Sequence, residues 1–313
     1  MTTLTAVKFA TVAVVAAWSG GTNHPGVATS PKLSVVATTP DLAALAREIG
    51  GDAVEVKALA KPTEDPHFVD AKPSHIVTLN RADVLIDGGA ELELGWLPAL
   101  LESARNSKIA AGAPGRISAS LGIRMLEIPV TFDRSKGDVH ALGNPHFLVD
   151  PIDAKLVAAQ IAAHLSQLSP GSADLFKANL SKFSGTIDAR LAEWQKQLAP
   201  FKGAKIVTYH KDFPYFAERF GLDVVENLEP KPGIAPSPAH LATVIAKMRA
   251  DNVQVILVQP FQNRKTAETV ARQTSAVVLD VSQQPGALPN TATYVELMDS
   301  IVRSLVTALG GRK

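Results

Sequence analysis

The sequence predicts an α/β protein with two lobes of mostly parallel sheet flanked by helices, joined by one long rigid α-helix. Short β-branched runs alternate with amphipathic stretches from residue 33 onward, which is the pattern of strand–helix units. This alternation is interrupted once, in the middle of the chain, by a long stretch of helix-forming residues. A length of 313 residues also suits two domains.

The first half contains the strand and helix signals of one lobe. Thr39 and Pro40 are typical of a helix start, and Gly50 and Gly51 are typical of its end. The predicted strands are 33–38, 53–59, 83–89, 108–110 and 125–128, and the predicted helices are 40–49, 73–80 and 92–105. Alternation of this kind favours a parallel sheet with helices on both faces.

The middle of the chain predicts the connection between the lobes. Residues 153–167 and 170–198 are rich in helix formers and keep apolar side chains at helical spacing. At 1.5 Å per residue, the second helix would be about 40 Å long, enough to run along both lobes. The predicted domains are an export signal at 1–30, an N-terminal lobe at 31–150, a connecting segment at 151–200 and a C-terminal lobe at 201–313.

The second half repeats the strand–helix pattern. Ser237 followed by Pro238 predicts the start of one of its helices. The predicted strands are 205–210, 222–227, 253–260 and 276–280, and the other predicted helices are 213–220, 263–273 and 293–309. The two halves therefore have similar predicted architecture.

Composition excludes several classes of function. The chain has 31 Lys and Arg against 30 Asp and Glu, so no basic face is expected to bind nucleic acid or an anionic membrane. It has no Cys, which excludes disulfides, thiolate metal sites and cysteine nucleophiles. A metal site would have to use His, Asp, Glu or backbone ligands.

The first 30 residues predict an export signal. Lys8 precedes an apolar run from Phe9 to Ala17, and a small, polar stretch follows. This run is too short to span a bilayer, and without Cys the segment cannot carry a lipid on a cysteine. We therefore expect a cleaved signal and a soluble periplasmic or otherwise extracytoplasmic monomer, or else a start of the chain that is simply disordered.

Three of the eight histidines lie at or just after the carboxyl ends of predicted strands, where parallel sheets commonly bind ligands. His67 and His146 follow predicted strands in Pro-flanked loops, and His210 ends the strand KIVTYH. Asp280 ends the strand AVVLD in the same way. Loops at the carboxyl ends of parallel strands gather at one edge, so these four residues are candidates for one site between the lobes.

The chemistry of this set favours a metal ion. Three imidazoles and one carboxylate suit tetrahedral Zn²⁺. Mn²⁺ prefers more oxygen ligands and is the weaker expectation. Because metal displaces protons from imidazoles, we expect its affinity to fall steeply below about pH 6.

The sequence resembles the metal-binding solute-binding proteins of ABC importers, the zinc and manganese receptors. The resemblance covers roughly residues 32–310 and rests on segments such as VVATTPDLAALAREIGGD, DPHFVDAKPSH, GNPHFLVDP, VTYHKDFPYFAERFGL and EPKPGIAPSPAHL. It implies two lobes joined by a long helix, with the ligands matching His67, His146, His210 and Asp280. The segment VSQQPGALPN after Asp280 departs from the family, and the long His-rich loop of many zinc members is missing.

The resemblance implies a receptor that binds Zn²⁺ and delivers it to the membrane permease of an ABC importer. Such a receptor should leave little room for any other substrate. The alternative is a zinc-dependent hydrolase or lyase with an open coordination position. The sequence contains no HExxH, GxSxG or GxGxxG motif, which weighs against this alternative and against a nucleotide-binding enzyme.

The other histidines and nearby acids have more than one interpretation. His140 is either a mobile auxiliary ligand or an exposed loop residue. His75 is expected in the first turn of a helix, His164 and His240 on helix surfaces, and His24 in the signal. Glu64, Asp65, Asp150 and Asp212 could accept hydrogen bonds from ligating imidazoles, but for Asp150 and Asp212 helix capping is favoured.

Overall fold

The computed structural model describes residues 1–3, 5, 6, 8, 10, 31–129 and 140–311. Most of the predicted export signal, including His24, lies outside these residues. Among the described residues, no helix is both long and apolar enough to cross a bilayer. The lobes and the site described below belong to the unit that begins at Pro31.

The N-terminal lobe is built on a four-stranded parallel sheet in the order β2-β1-β3-β4. Its strands are β1 (Leu33–Ala37), β2 (Val54–Ala58), β3 (Val84–Asp87) and β4 (Arg116–Ser118). Its helices are α1 (Pro40–Gly50), α2 (Pro73–Asn80) and α3 (Leu97–Ala104). The chain passes from β1 to β2 on one side and then crosses back to β3 on the other side of β1, and this reversal of strand order opens a crevice at the carboxyl end of the sheet.

The C-terminal lobe repeats this topology with the order β6-β5-β7-β8, again parallel throughout. Its strands are β5 (Lys205–Thr208), β6 (Asp223–Asn227), β7 (Val255–Val258) and β8 (Val277–Asp280). Between the lobes come α4 (Pro151–Leu168) and α5 (Ala173–Leu198), and the C-terminal lobe carries α6 (Pro214–Phe220), α7 (Pro238–Ala250), α8 (Arg264–Thr274) and α9 (Tyr294–Gly310). The predicted fold class is confirmed.

Side chains alternate between the two faces of each sheet, as a pleated strand requires. In β1, Val35 packs into a large central core and Val36 into a separate outer core. In β5, Ile206 joins the same central core and Val207 a second outer one. The central core also contains buried α5 residues such as Phe183 and thus continues from one sheet to the other.

Capping residues mark the starts of several helices, at Thr39 and Ser237 as predicted and also at Thr293. Ser237 caps α7 by accepting from the backbone N–H of His240. Thr293 and Glu296 form a reciprocal capping box at the start of α9. Thr39 is the N-cap residue of α1, but its hydroxyl donates to the Asp41 carboxylate and makes no cap bond. Local sequence signals thus set these boundaries to within one or two residues.

The first lobe departs from the prediction at its fourth strand. Residues 107–109 form a short 3-10 turn, in which the Asn106 side chain accepts from Lys108 N, and residues 125–128 form no strand. The fourth strand is Arg116–Ser118, which pairs with β3. This strand has a single apolar residue, so its position depends on pairing rather than on hydrophobic pattern.

Helix α3 begins later than predicted because the chain first makes a buried turn. Glu93 is 4% exposed, and its carboxylate accepts from Gly88 N at 2.7 Å and from the Thr38 hydroxyl at 2.5 Å. Ala90 and Glu91 just before it have positive φ angles. The helix therefore starts only at Leu97.

Candidate metal centre

His67 lies in the loop between β2 and α2, and its ring is oriented by a carboxylate. Asp65 Oδ1 lies 2.8 Å from His67 Nδ1 and also accepts from His67 N at 3.0 Å. Trp96 Nε1 donates to Pro66 O at 2.9 Å, which fixes the backbone of the loop next to His67. A hydrogen bond from Nδ1–H leaves the Nε2 lone pair of His67 for a metal.

His146 lies between β4 and α4, in a loop that is held against the C-terminal lobe. Asn144 Oδ1 accepts from His146 N, and Asn144 Nδ2 donates to Lys211 O at 2.8 Å. The buried Tyr215 hydroxyl donates to Asn144 O at 2.8 Å and accepts from Leu126 N at 2.9 Å. His146 is thereby fixed next to the strand end that carries His210.

His210 lies two residues beyond the end of β5. Glu229 Oε2 lies 2.8 Å from His210 Nδ1. The Thr208 hydroxyl donates to His210 O at 2.6 Å, which fixes the backbone at this position. His210 and His67 thus have the same arrangement, an imidazole whose Nδ1 faces a carboxylate.

The structure brings these three histidines together. One ligand atom from each of His67, His146 and His210 lies within 4.8 Å of the other two. Their side chains are shielded, at 9% exposure for His67 and 13% for His210. His146 Nε2 is buried and has no hydrogen-bond partner. An orphaned imidazole nitrogen facing two others is the donor arrangement that Zn²⁺ or another nitrogen-preferring cation uses.

His140 contacts one member of this cluster: its Nε2 lies 3.2 Å from His67 Nε2, although His140 is not part of the group of three ligand atoms that lie within 4.8 Å of one another. The two rings stack, with centroids 5.2 Å apart. Because His67 Nδ1–H faces Asp65, His67 Nε2 is the acceptor and His140 Nε2–H the donor. Two nitrogens on a tetrahedral Zn²⁺ with bonds of about 2.0–2.1 Å are separated by about 3.4 Å, close to the distance found here.

Asp280 ends β8 as predicted but does not face the imidazoles. Its side chain is 56% exposed, and its carboxylate forms an ion pair with Arg264. Of the four predicted ligands, the structure therefore brings together His67, His146 and His210, and it places Asp280 apart from them. The ligand role of Asp280 stays a prediction.

The histidines differ in basicity. Burial and neighbouring imidazoles lower the pKa of His140 to about 3 and that of His146 well below its usual value. Burial also acts to lower the pKa of His210, but the hydrogen bond with Glu229 and nearby carboxylates outweigh it, so this pKa is raised. At neutral pH, His140 and His146 are unprotonated and can bind a metal, whereas a proton competes more strongly with the metal at His210 than at these two residues.

A cavity of about 230 Å³ opens beside the cluster. It is lined largely by side chains of the C-terminal lobe, among them Glu229, Gln259, Gln262, Gln283 and Gln284. This volume exceeds the little room expected around a single ion. Glu229 and Gln283 were not among the predicted site residues, because nothing in their local sequence marks them.

The acids near the site have different roles. The Asp150 side chain caps α4 by accepting from Ile152 N, as predicted, and it also forms a bidentate ion pair with Arg219 of the other lobe at 2.7 and 2.8 Å. Asp212 does not cap α6, which was the favoured interpretation; the N-cap is Phe213. Asp212 is instead buried, and its Oδ2 accepts from two glutamine amides. Glu64 accepts from Lys61 N.

The remaining predicted helical histidines do lie on helices. His75 is in the first turn of α2, and its Nδ1 is buried without a hydrogen-bond partner. His164 on α4 lies 3.1 Å from Pro114 O through Nδ1. His240 on α7 lies 3.1 Å from Asn227 O through Nε2. None of the three belongs to the imidazole cluster at the cleft.

Comparisons with known proteins relate this chain to metal-transport proteins. The chain is 26% identical, over an alignment 333 residues long, to the high-affinity zinc uptake system protein ZnuA of Paracoccus denitrificans, and the alignment covers 95% of this chain and 97% of that protein. It is 24% identical over 274 residues to the manganese ABC transporter substrate-binding lipoprotein PsaA of Streptococcus mitis, covering 86% and 85%. It is 26% identical to the iron-binding protein YfeA of Yersinia pestis, covering 90% and 88%.

Solved structures show the same fold. A crystal structure of ZnuA superposes with a TM-score of 0.75 at 24% identity, covering 88% of this chain and 99% of that one. The laminin-binding protein Lmb of Streptococcus agalactiae superposes with a TM-score of 0.73 at 23% identity, covering 88% and 99%. Residues 35–308 match the family model described as ZnuA, zinc-uptake complex component A, periplasmic. Since this match spans both sheets and the helices between them, the chain belongs to the ZnuA family of metal-uptake proteins.

Proposed function

We propose that this protein is an extracytoplasmic receptor that binds one Zn²⁺ between its lobes and delivers it to the permease of an ABC importer. The observation that carries the proposal is the convergence of three imidazoles from loops of both lobes, with the ligand atom of His146 unpartnered. The cation is the cargo of this protein. The family is one of transport components, which favours a receptor over the hydrolase or lyase alternative.

The donor set supports zinc over manganese. The relatives are named for zinc, manganese or iron, so similarity alone does not select the metal. The carboxylates nearest the cluster, Asp65 and Glu229, are engaged by the Nδ1 atoms of His67 and His210. The nitrogen atoms are therefore the donors that face the centre, and nitrogen donors suit Zn²⁺ better than Mn²⁺.

For the fourth ligand, the geometry favours His140. Its Nε2 lies at a tetrahedral ligand spacing from His67 Nε2, whereas Asp280 is exposed and paired with Arg264. To bind the metal through Nε2, His140 must give up the hydrogen bond that it donates to His67. The proton of His140 must then be on Nδ1, so zinc binding at this residue requires a change of tautomer.

Metal titration tests the proposed function. Purified, metal-stripped protein should bind one equivalent of Zn²⁺, and Mn²⁺ at least about tenfold more weakly, in competition with a chromophoric chelator. Anomalous scattering at the zinc edge should place the ion among the three imidazoles. A preference for Mn²⁺, or chelator-sensitive turnover of a hydrolase substrate, would contradict the proposal.

A paired substitution identifies the fourth ligand. We expect H140A to weaken Zn²⁺ binding by about tenfold or more and D280A to change it little, because of these two side chains it is His140 that contacts an imidazole of the cluster, whereas Asp280 is paired with Arg264. H164A, which removes an imidazole from α4, controls for the substitution itself. Loss of affinity in D280A but not in H140A would instead assign the fourth position to Asp280.

A further inference from the structure

The cavity beside the imidazoles is larger than one metal ion needs. Its volume is about 230 Å³, and His67, His146 and His210 all line it. Liquid water takes up about 30 Å³ per molecule, so the cavity has room for about seven waters or for one small organic molecule. His140 lines a different cavity of about 90 Å³, which His146 and His210 also border. The space in the larger cavity is therefore left free when His140 approaches the cluster.

Gln284 gives the larger cavity a hydrogen-bond donor. This residue is 3% exposed and lines the cavity from the loop after β8. Its Oε1 accepts from Asp41 N of the N-terminal lobe at 3.2 Å, and no described residue accepts from its Nε2. The amides of Gln259 and Gln262, which also line the cavity, donate to Asp212 Oδ2 instead. Because buried amide groups normally have partners, Gln284 Nε2 indicates an acceptor inside the cavity.

The charges around the cavity favour a ligand with at most one negative charge. None of the described residues that line it is Lys or Arg. Its carboxylates belong to Asp65 and Glu229, whose oxygens lie 2.8 Å from the Nδ1 atoms of His67 and His210. These two carboxylates already balance the two positive charges of a divalent ion. A ligand with several carboxylates would bring uncompensated charge into the space between the lobes, which is costly.

Aromatic rings form the apolar part of the cavity wall. Tyr209 and Phe261 line the cavity from the C-terminal lobe, and Phe68 lines it from the N-terminal lobe. Phe68 directly follows His67 and is 58% exposed. Pockets for small organic molecules combine apolar and aromatic walls with a few polar groups, and this cavity has that composition.

We propose that this cavity is a second ligand subsite, in which the metal is bound together with one small α-amino acid that chelates it through the amino nitrogen and a carboxylate oxygen. The proposal rests on the proposed function, in which the three imidazoles bind Zn²⁺. Zn²⁺ can expand to five ligands, so the two donor atoms of the amino acid take the place of His140. The amino group binds in its neutral form after its proton has passed to water.

The rest of the amino acid uses the remaining features of the cavity. Its second carboxylate oxygen accepts from Gln284 Nε2, and its side chain packs against the aromatic rings. The chelated amino acid carries a single negative charge, which suits a wall without Lys or Arg. The cargo of the receptor is then a metal–amino acid complex as well as the metal ion alone.

Equilibrium dialysis with radiolabelled L-methionine tests the subsite. Zinc-loaded protein should bind one equivalent, and metal-free protein should bind none. The matched control 4-(methylthio)butanoate lacks only the amino group and should not bind, because it cannot form the chelate. Native mass spectrometry should show one zinc and one methionine on the same chain. Zinc-loaded protein that binds no methionine, or that binds the control equally well, would overturn the subsite while leaving zinc binding itself in place.

A substitution of Gln284 tests how the ligand is recognised. In Q284E, a carboxylate oxygen can still accept from Asp41 N, but the donor to the ligand is lost. Zinc-loaded Q284E should bind methionine about tenfold or more weakly than wild type. Q273E, at an exposed position on α8, controls for the added charge and should match the wild type. Wild-type methionine binding by Q284E would show that the ligand does not occupy this cavity.

The variant H140A gives a test that does not depend on the folding of Q284E. Because the amino acid takes the place of His140, added L-methionine should restore the zinc affinity of H140A toward the wild-type value, and 4-(methylthio)butanoate should not. Failure of methionine to restore it would contradict the proposal. If H140A binds zinc alone as tightly as wild type, the assignment of the fourth ligand fails instead, and the zinc-dependent binding of methionine still decides whether the subsite exists.

Discussion

At the scale of single residues, burial and neighbouring carboxylates decide how strongly a proton competes with the metal for His140, His146 and His210. The hydrogen bond with Glu229 helps to raise the pKa of His210 despite its burial, whereas burial and the neighbouring imidazoles lower the pKa of His146. A raised pKa means that proton competition begins at a higher pH. Zinc affinity should therefore start to fall as the pH drops through the raised pKa of His210, while His140 and His146 are still neutral.

Substitution of Glu229 tests this origin of the pH dependence. In E229Q, the amide oxygen can still accept from His210 Nδ1–H, but the negative charge is lost. We expect zinc affinity near neutral pH to fall by about tenfold, because the charge next to the ligand is lost. The pH below which zinc affinity declines should also become lower, because the pKa of His210 falls. Chelator competition between pH 5 and 8 measures both effects, and E193Q on the exposed surface of α5 is the matched control. If zinc affinity declines at the same pH in E229Q as in the wild type, Glu229 does not determine the pH dependence.

At the scale of elements, α5 is a 26-residue helix whose only interior glycine is Gly185. A Cβ atom at Gly185 would meet no other atom within 4 Å. Gly203, in the turn before β5, is equally open, but its φ of +78° lies in the left-handed region. The same substitution should therefore have opposite effects at the two positions, because only the backbone conformation differs.

Two alanine variants test this contrast. G185A should raise the free energy of unfolding by about 0.5–1 kcal/mol, since alanine is the better helix former and loses less chain entropy on folding. G203A should lower it by about 1 kcal/mol through backbone strain. Denaturant titrations of the metal-free protein measure both values, and zinc affinity should stay as in wild type. Stabilisation by G203A would contradict the conformational argument.

At the scale of the whole molecule, the lobes are joined by more than the connecting helix. The central hydrophobic core runs from β1 through α5 to β5 without interruption. The Asp150–Arg219 ion pair and the hydrogen bonds of Tyr215 fasten the His146 loop to the C-terminal lobe. A large hinge rotation would have to break this core, so metal binding should close the cleft by small movements of the loops.

Small-angle scattering tests the rigidity of the molecule. The radius of gyration should be the same, within experimental error, for the metal-free and the zinc-loaded protein. R219M serves as the comparison, because it removes the bidentate pair between the lobes while leaving the imidazoles in place. A marked contraction of the wild-type protein on adding zinc would show that the shared core does not hold the lobes together.

How far the sequence alone predicts this protein differs between fold and site. Local periodicity and end signals predicted most strands and helices, because they depend on neighbouring residues. His67, His146 and His210 each follow a predicted strand in the sequence. Because parallel strands end at a common edge of the sheet, these residues were predicted to lie close together. The fourth strand escaped prediction, since Arg116–Ser118 is a strand only through its pairing with β3.

The sequence by itself thus determined the two-sheet architecture and the convergence of His67, His146 and His210 at the cleft. Only the tertiary structure decided the directions of the side chains there. Arg264 engages Asp280 on the surface, and Glu229, 19 residues from His210, becomes its partner through the pairing of β5 with β6. His140 likewise contacts His67 only because folding brings together residues that are distant in the chain. The physical reason is that a local pattern determines which face a residue occupies, whereas the orientation of a loop side chain depends on partners brought close by folding.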